Sequence, residues 1–354
     1  MNIEMTTLAV FGAALAFAAA IVTVRLAASL REARVRRNGA RLGGQLLADK
    51  GMLRRRTVRM AARHAVALDR LLLGQAMLGS PAQRSQAVEA SARTGRTRAY
   101  LRAVHSPVSA RRAAAATALR WLGSPDAVPE MLTALRDQPW SRETLVTAQA
   151  VVEHSRSAQE IRSLMLYLLR YPNVSPRVVA SVAAPAQAPI AEVVAEFLLD
   201  DDETLRLAAL EILRLRPALA AGLEVPWEPL MHHANLDIRC MALRLYIEHE
   251  RAMPAVGSDV LSADAARAAI AGELWRLHPA QSAKILQKML EDRSWWVRQR
   301  SAQSLGRLGA LGLAVLQEAA ARSRDRYAGD VARDALAALA MAGSAGVAVA
   351  AEEA

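Results

Sequence analysis

Lys288-Met289-Leu290-Glu291-Asp292-Arg293-Ser294-Trp295-Trp296-Val297-Arg298-Gln299-Arg300-Ser301-Ala302-Gln303-Ser304-Leu305-Gly306-Arg307-Leu308-Gly309 decides how the rest of the chain is read. It reads as a helix, a turn around Trp295-Trp296, and a second helix that stops at Gly309, a residue suited to ending helices. Arg298 is followed three residues later by the small Ser301. The same step recurs at Arg84/Ala87, Arg112/Ala115, Arg177/Ala180, Arg206/Ala209 and Arg239/Ala242, and in looser form at Arg267/Ile270 and Arg333/Leu336. One unit is missing between Arg112 and Arg177, and Val146 fills it because Glu143-Thr144-Leu145 parallels Glu203-Thr204-Leu205. The ladder 84, 112, 146, 177, 206, 239, 267, 298, 333 advances by 28 to 35 residues. Each step accommodates two helices of about a dozen residues and two short turns, the helical hairpin of an α-solenoid.

Working outward, helical periodicity agrees. Leu205, Ala208, Ala209, Ile212 and Leu213 form one apolar stripe at i, i+3, i+4, i+7 and i+8. Ser80-Pro81, Ser106-Pro107, Ser124-Pro125 and Ser175-Pro176 read as helix starts, with serine as cap and proline in the first turn. Gly123 stands where a helix should end, and Pro185 to Pro189 suggests a local break. Apolar residues make up 53% of the 354-residue chain but aromatics only 4%, so alanine and leucine, both helix formers, dominate. The expected class is all-α, a solenoid of stacked antiparallel helix pairs preceded by a single transmembrane helix.

The quoted stretch resembles the HEAT-repeat family, in its short bacterial, PBS-lyase-type form. In that family an outer helix ends in Asp, here Asp292, and the inner helix begins with a Val-Arg pair, here Val297-Arg298. Asp200 and Arg206 repeat the spacing, and Ala127-Val128-Pro129-Glu130-Met131-Leu132 resembles the start of an outer helix. The resemblance covers residues 80–341. It implies a non-enzymatic scaffold for protein–protein interaction, and it makes the register arginines structural links between repeats. It also leaves open a nucleic-acid-binding or base-repair protein, through Trp295, Trp296 and Asp292, and a bilin-lyase-like enzyme.

The N-terminus reads differently. Residues 5–24 carry no charge, and twenty helical residues span roughly 30 Å, a bilayer's hydrocarbon thickness. Arg25, Arg31, Arg34, Arg36, Arg37 and Arg41 crowd the C-terminal flank. That is the positive-inside pattern of an uncleaved anchor with its C-terminal mass in the cytoplasm, here of a bacterial inner membrane. Twelve arginines and Lys50 stand against Glu32, Asp49 and Asp69 in residues 25–70, a balance of +10 in a chain of net +11. The charge therefore sits beside the bilayer, where each base contributes about 1 kcal/mol of attraction to anionic lipid. It is not spread along the repeats as nucleic-acid binding would ask. Gly12, Ala16 and Ala20 lie four apart, a stripe through which two anchors could pack into a homodimer. The organisation expected is a transmembrane anchor over 1–28, a basic juxtamembrane linker over 29–51, a capping helix over 52–79, the repeat array over 80–341 and a disordered tail over 342–354.

Chemistry-bearing motifs are sparse: the chain holds no Gly-rich phosphate loop, His-Glu-x-x-His or Cys-x-x-Cys. Cys240 reads as a small buried apolar residue. His232-His233 diverge by about 100° on a helix and cannot easily share a metal. Asp200-Asp201-Asp202-Glu203 precedes a helix, where carboxylates cap free N–H groups. No catalytic residue, metal or cofactor is expected. The candidate interaction residues are Trp295, Trp296, Arg298 and Arg300. The expected partners are membrane-associated proteins and the lipid bilayer, within an envelope enzyme complex for polysaccharide synthesis or secretion.

Overall fold

The computed structural model describes residue 25, residues 29–30, 32–35 and 37–38, and residues 63–352, with side chains through residue 341. The apolar run 5–24, with Arg31, Arg36 and Arg41, lies outside the described residues. Among the described residues no helix is long and apolar enough to cross a membrane, and there is no strand. Arg25, Arg34 and Arg37 are exposed and helical. Nearby, Asn38 Nδ2 meets His64 Nδ1 at 3.2 Å, and Glu32 lies 4.0 Å from Arg70.

The chain divides into two compact units at Ser155/Arg156. The first holds α1 (Ala65–Leu78), α2 (Pro81–Arg93), α3 (Arg96–Val104), α4 (Ser109–Leu122), α5 (Val128–Arg136) and α6 (Arg142–His154). The second holds α7 (Ala158–Leu169), α8 (Pro176–Ala183), α9 (Ile190–Leu199), α10 (Glu203–Leu215), α11 (Trp227–Met231), α12 (Leu236–Glu250) and α13 (Ser258–Leu261). It continues with α14 (Asp264–Glu273), α15 (Pro279–Met289), α16 (Trp295–Arg307), α17 (Ala310–Arg322) and α18 (Arg326–Glu352). In this second unit α8, α10, α12, α14, α16 and α18 pack one on the next as an inner row, with the intervening helices outside them. α18 carries helix through residues 342–352.

The inner row is close-packed because its contact positions are small. Ala180, Ala209 and Ala242 are fully buried, as are Ser301 and Ala332. Ser304 Oγ crosses to the Ala271 carbonyl in the preceding inner helix at 2.6 Å, giving a buried hydroxyl a partner. Cys240 is buried, and burial raises its thiol pKa. Helix starts follow local chemistry. Ser80 and Gln83 form a capping box at α2, and Ser141 and Thr144 form another at α6. Ser106-Pro107 does not start its helix: the cap is Val108, and Ser106 Oγ instead accepts from the Val108 N–H. Gly309 turns the chain between α16 and α17 at φ +65, a conformation that glycine reaches without steric cost. Pro185 to Pro189 forms the irregular link between α8 and α9. There the Ala184 and Ala186 carbonyls accept from Arg216 at 3.3 and 3.0 Å.

Counted from the helix caps, the arginine ladder acquires a mechanism. Arg84, Arg112, Arg206, Arg239, Arg267 and Arg298 each stand four residues after the N-cap of an inner helix. Side chains on a helix lean toward its N-terminus, so a guanidinium there reaches back over the preceding turn. Arg112 Nη1 donates to the Ser106 and Pro107 carbonyls at 2.9 and 3.0 Å. Arg267 Nη1 reaches Leu261 and Ser262 at 2.9 and 3.0 Å, and Arg298 Nη1 reaches Asp292 and Arg293 at 2.7 and 3.3 Å. Arg239 does the same with Nε and Nη2 at 3.0 and 3.4 Å. These carbonyls lie at or past the end of an outer helix, where no i+4 N–H of that helix can serve them.

Besides Arg177, which stands two residues after the Ser175 cap of α8, two rungs differ from the sequence register. The cap of α6 is Ser141, which puts Leu145 rather than Val146 at the arginine position. In α18 Asp325 precedes the first helical residue and accepts from the Tyr327 N–H, which puts Gly329 there and Arg333 one turn further on. Both shifts restore a buried alanine three residues later, Ala148 and Ala332.

Candidate protein-interaction site

The residue two before the cap of an inner helix has a recurring use: its side chain accepts from the N–H of the cap residue. Ser106, Asp200, His233, Asp292 and Ser323 all do so, at 2.8 to 3.2 Å. At Asp292 the arginine of the preceding repeat closes on this residue. Arg267 Nε and Nη2 donate to the two Asp292 carboxylate oxygens at 2.7 and 2.9 Å, with both side chains 15% exposed. Burial raises the Asp292 pKa, but the Arg267 hydrogen bonds and the Ser294 N–H outweigh it and hold the carboxyl below its ordinary value. His233 takes the same place in the link between α10 and α12, with Nε2 at 2.6 Å from Arg206 Nη1. Its neighbour His232 turns away and its Nδ1 lies 2.9 Å from the Glu228 carbonyl, so the two rings serve separate contacts.

This geometry presents Trp295 and Trp296 at the first turn of α16. They are 49% and 60% exposed, and their rings form an edge-to-face pair 4.7 Å apart at 74°. Arg300 is exposed and donates to Gln303 Oε1 at 3.3 Å. Arg298 does not share that surface. It is 9% exposed, and its guanidinium lies 5.3 Å from the centre of the Tyr327 ring in the next repeat. Tyr327, 65% exposed, occupies in α18 the place that Trp296 holds in α16, two residues after the cap. The three aromatics therefore lie at successive inter-helix turns. Between those turns runs a groove of about 490 Å³ lined by Leu290, Glu291, Arg322, Ser323, Arg324 and Ala328, among others.

Tyr327 and Ser323 have no counterpart in the sequence reading. The register at Arg333 displaces the last repeat by four residues and hides their equivalence to Trp296 and Asp292. The small-residue rule applied strictly would choose Ala332 over Leu336 and expose both. Other aromatics serve packing. Trp227 is stacked 6.2 Å from His249, and Trp275 lies between the Arg276 and Arg307 guanidiniums at 4.6 and 5.1 Å. Among the described residues no three His, Cys, Asp or Glu side chains converge as a metal site would need.

No curated protein matches the chain. A crystal structure of an engineered protein, a structural-genomics target, is 14% identical and covers 85% of this chain and 94% of its own, with a TM-score of 0.30. Residues 284–311, which include the tryptophan pair, Asp292 and Arg298, match the family model described as the HEAT repeat.

Proposed function

We propose that the chain is a non-catalytic, HEAT-like scaffold that binds a partner protein at the turn edge of its last repeats, through Trp295, Trp296 and Tyr327. The observation that carries this reading is the exposed tryptophan pair. Large aromatics and arginines dominate the energetics of protein interfaces, and rings left half in solvent contribute little to internal packing. A HEAT-like array of helices fits such a role because its turns repeat along an extended surface. The apolar run 5–24 and the arginines after it support a membrane tether with the repeats on the cytoplasmic side. Tethering would raise the effective concentration of a membrane-bound partner, such as an envelope enzyme complex.

In-membrane crosslinking followed by affinity capture of the full-length chain tests this. Recovery of one stoichiometric partner, lost when Trp295 and Trp296 are both replaced by alanine, is the expected result. A partner retained by that double variant would defeat the site assignment. The intact chain in the soluble fraction would defeat the tether.

A further inference from the structure

The links between repeats differ in one atom-level respect. Arg267 and Arg298 each give Nη1 to the two carbonyls of the preceding turn. Arg267 then gives Nε and Nη2 to Asp292 of the next repeat. The residue that matches Asp292 under Arg298 is Ser323, by its hydrogen bond to the Asp325 N–H. A serine hydroxyl is too short to take up the outer edge of the guanidinium. Arg298 Nε is accordingly a buried donor with no acceptor among the described residues, on a residue only 9% exposed. Arg112 shares the unpaired Nε, but no exposed aromatic lies near it in α4 to α6. The exposed Tyr327 ring lies against Arg298, exposed Trp296 stands in the same first turn of α16, and the groove containing Ser323 is lined by Arg322 and Arg324 with Glu291, Glu318 and Asp325.

We infer that the partner contributes a carboxylate to this fork. The site is a receptor for an acidic segment: the exposed Tyr327 ring that lies against the guanidinium moves aside, and one Asp or Glu side chain bridges Arg298 Nε and Nη2. Trp296 and Tyr327 pack on the flanking residues, and Arg322 and Arg324 partly offset the Glu291, Glu318 and Asp325 carboxylates that share the groove. The inference rests on the protein-binding reading above and names the chemistry of the partner. A planar carboxylate matches the guanidinium edge bidentately, as Asp292 already does on Arg267. Among the described residues no local acid reaches Arg298 Nε: Asp292 holds Arg267, Asp325 accepts from Tyr327 N–H, Asp330 pairs with Arg333, and Glu291 and Glu318 line the groove.

The test uses the full-length chain and a hexaglutamate peptide bearing a terminal benzophenone, with crosslinks mapped by mass spectrometry. Hexaglutamine and a deoxythymidine decamer carrying the same photogroup are the comparison probes. Ser323→Asp supplies the missing acceptor from within, and Ser323→Asn keeps the turn without the charge. The expected result is hexaglutamate labelling within residues 290–327 that falls at least tenfold in S323D and persists in S323N. Labelling of the basic block around residues 25–41 should be the same in all three proteins, an internal reference. S323D should also melt above the wild type. The inference is overturned by unchanged labelling of 290–327 in S323D, by equal labelling with hexaglutamine, by preferential labelling with the decamer, or by a lower melting temperature for S323D. If partner capture depends on Trp295 and Trp296 but ignores S323D, only this inference fails. If capture ignores the tryptophans too, the binding reading beneath it fails.

Discussion

The arginine four residues after the cap of most inner helices is the smallest unit that explains the array. Its side chain closes the turn behind it and, where an acid waits in the next repeat, links two repeats. Replacing Asp292 by Asn leaves the turn hydrogen bond possible but removes the charge partner of Arg267. We expect a loss of about 1.5–3 kcal/mol, the worth of a hydrogen bond to a charged group, read as a lower melting temperature. The pH dependence has a definite sign. The Asp292 carboxyl is more acidic folded than unfolded, so its contribution is fully present above the ordinary Asp value near 3.9. It fades as pH falls below that value, and urea midpoints of wild type and D292N should converge there. His233→Asp places a carboxylate against Arg206, so it should stabilise by about 1 kcal/mol at neutral pH, measured by urea unfolding. The arginine positions were legible in the sequence, but their targets were not, because backbone carbonyls leave no residue-type signature. The orphaned Nε of Arg298 was hidden for a similar reason: a serine in place of an aspartate looks unremarkable until the hydrogen bonds align them.

At the scale of helices, the fold depends on small side chains three residues after the arginine. Ala242 is fully buried between inner helices, and leucine there must push them apart. Ala242→Leu should cost about 1–3 kcal/mol, seen as a lower urea midpoint. Replacing Trp295 and Trp296 together with alanine should change stability by only about 0.5 kcal/mol, since both stand in solvent. That contrast separates packing from binding within the inner row. Helix existence could be read from periodicity and an alanine-rich composition. Starts were read less well: Ser80-Pro81 and Ser175-Pro176 lie at caps, whereas Ser106 serves the turn before Val108. A Ser-Pro pair has two good uses near a helix, and sequence alone does not choose between them. The register slips at Val146, Arg177 and Arg333 have a related cause, since none of these repeats carries arginine at the true position.

For the whole molecule, the second unit gains order from neighbour-to-neighbour contacts rather than one central core, which is the energetics of repeat proteins. Its last turns carry the exposed aromatics, the groove and the incompletely paired Arg298 guanidinium. Composition and charge could point to a scaffold because no catalytic constellation competes with that reading, and +10 of charge falls in residues 25–70. Which turns bind could be only half seen: the tryptophans were visible as a pair, while Tyr327 and the groove depend on how the next repeat stacks. Amide hydrogen exchange of the full-length chain, free and bound to the captured partner, probes that edge without any substitution. Protection concentrated at residues 290–300 and 322–328 is the predicted result. Protection confined to other turns, or none in a verified complex, would contradict it.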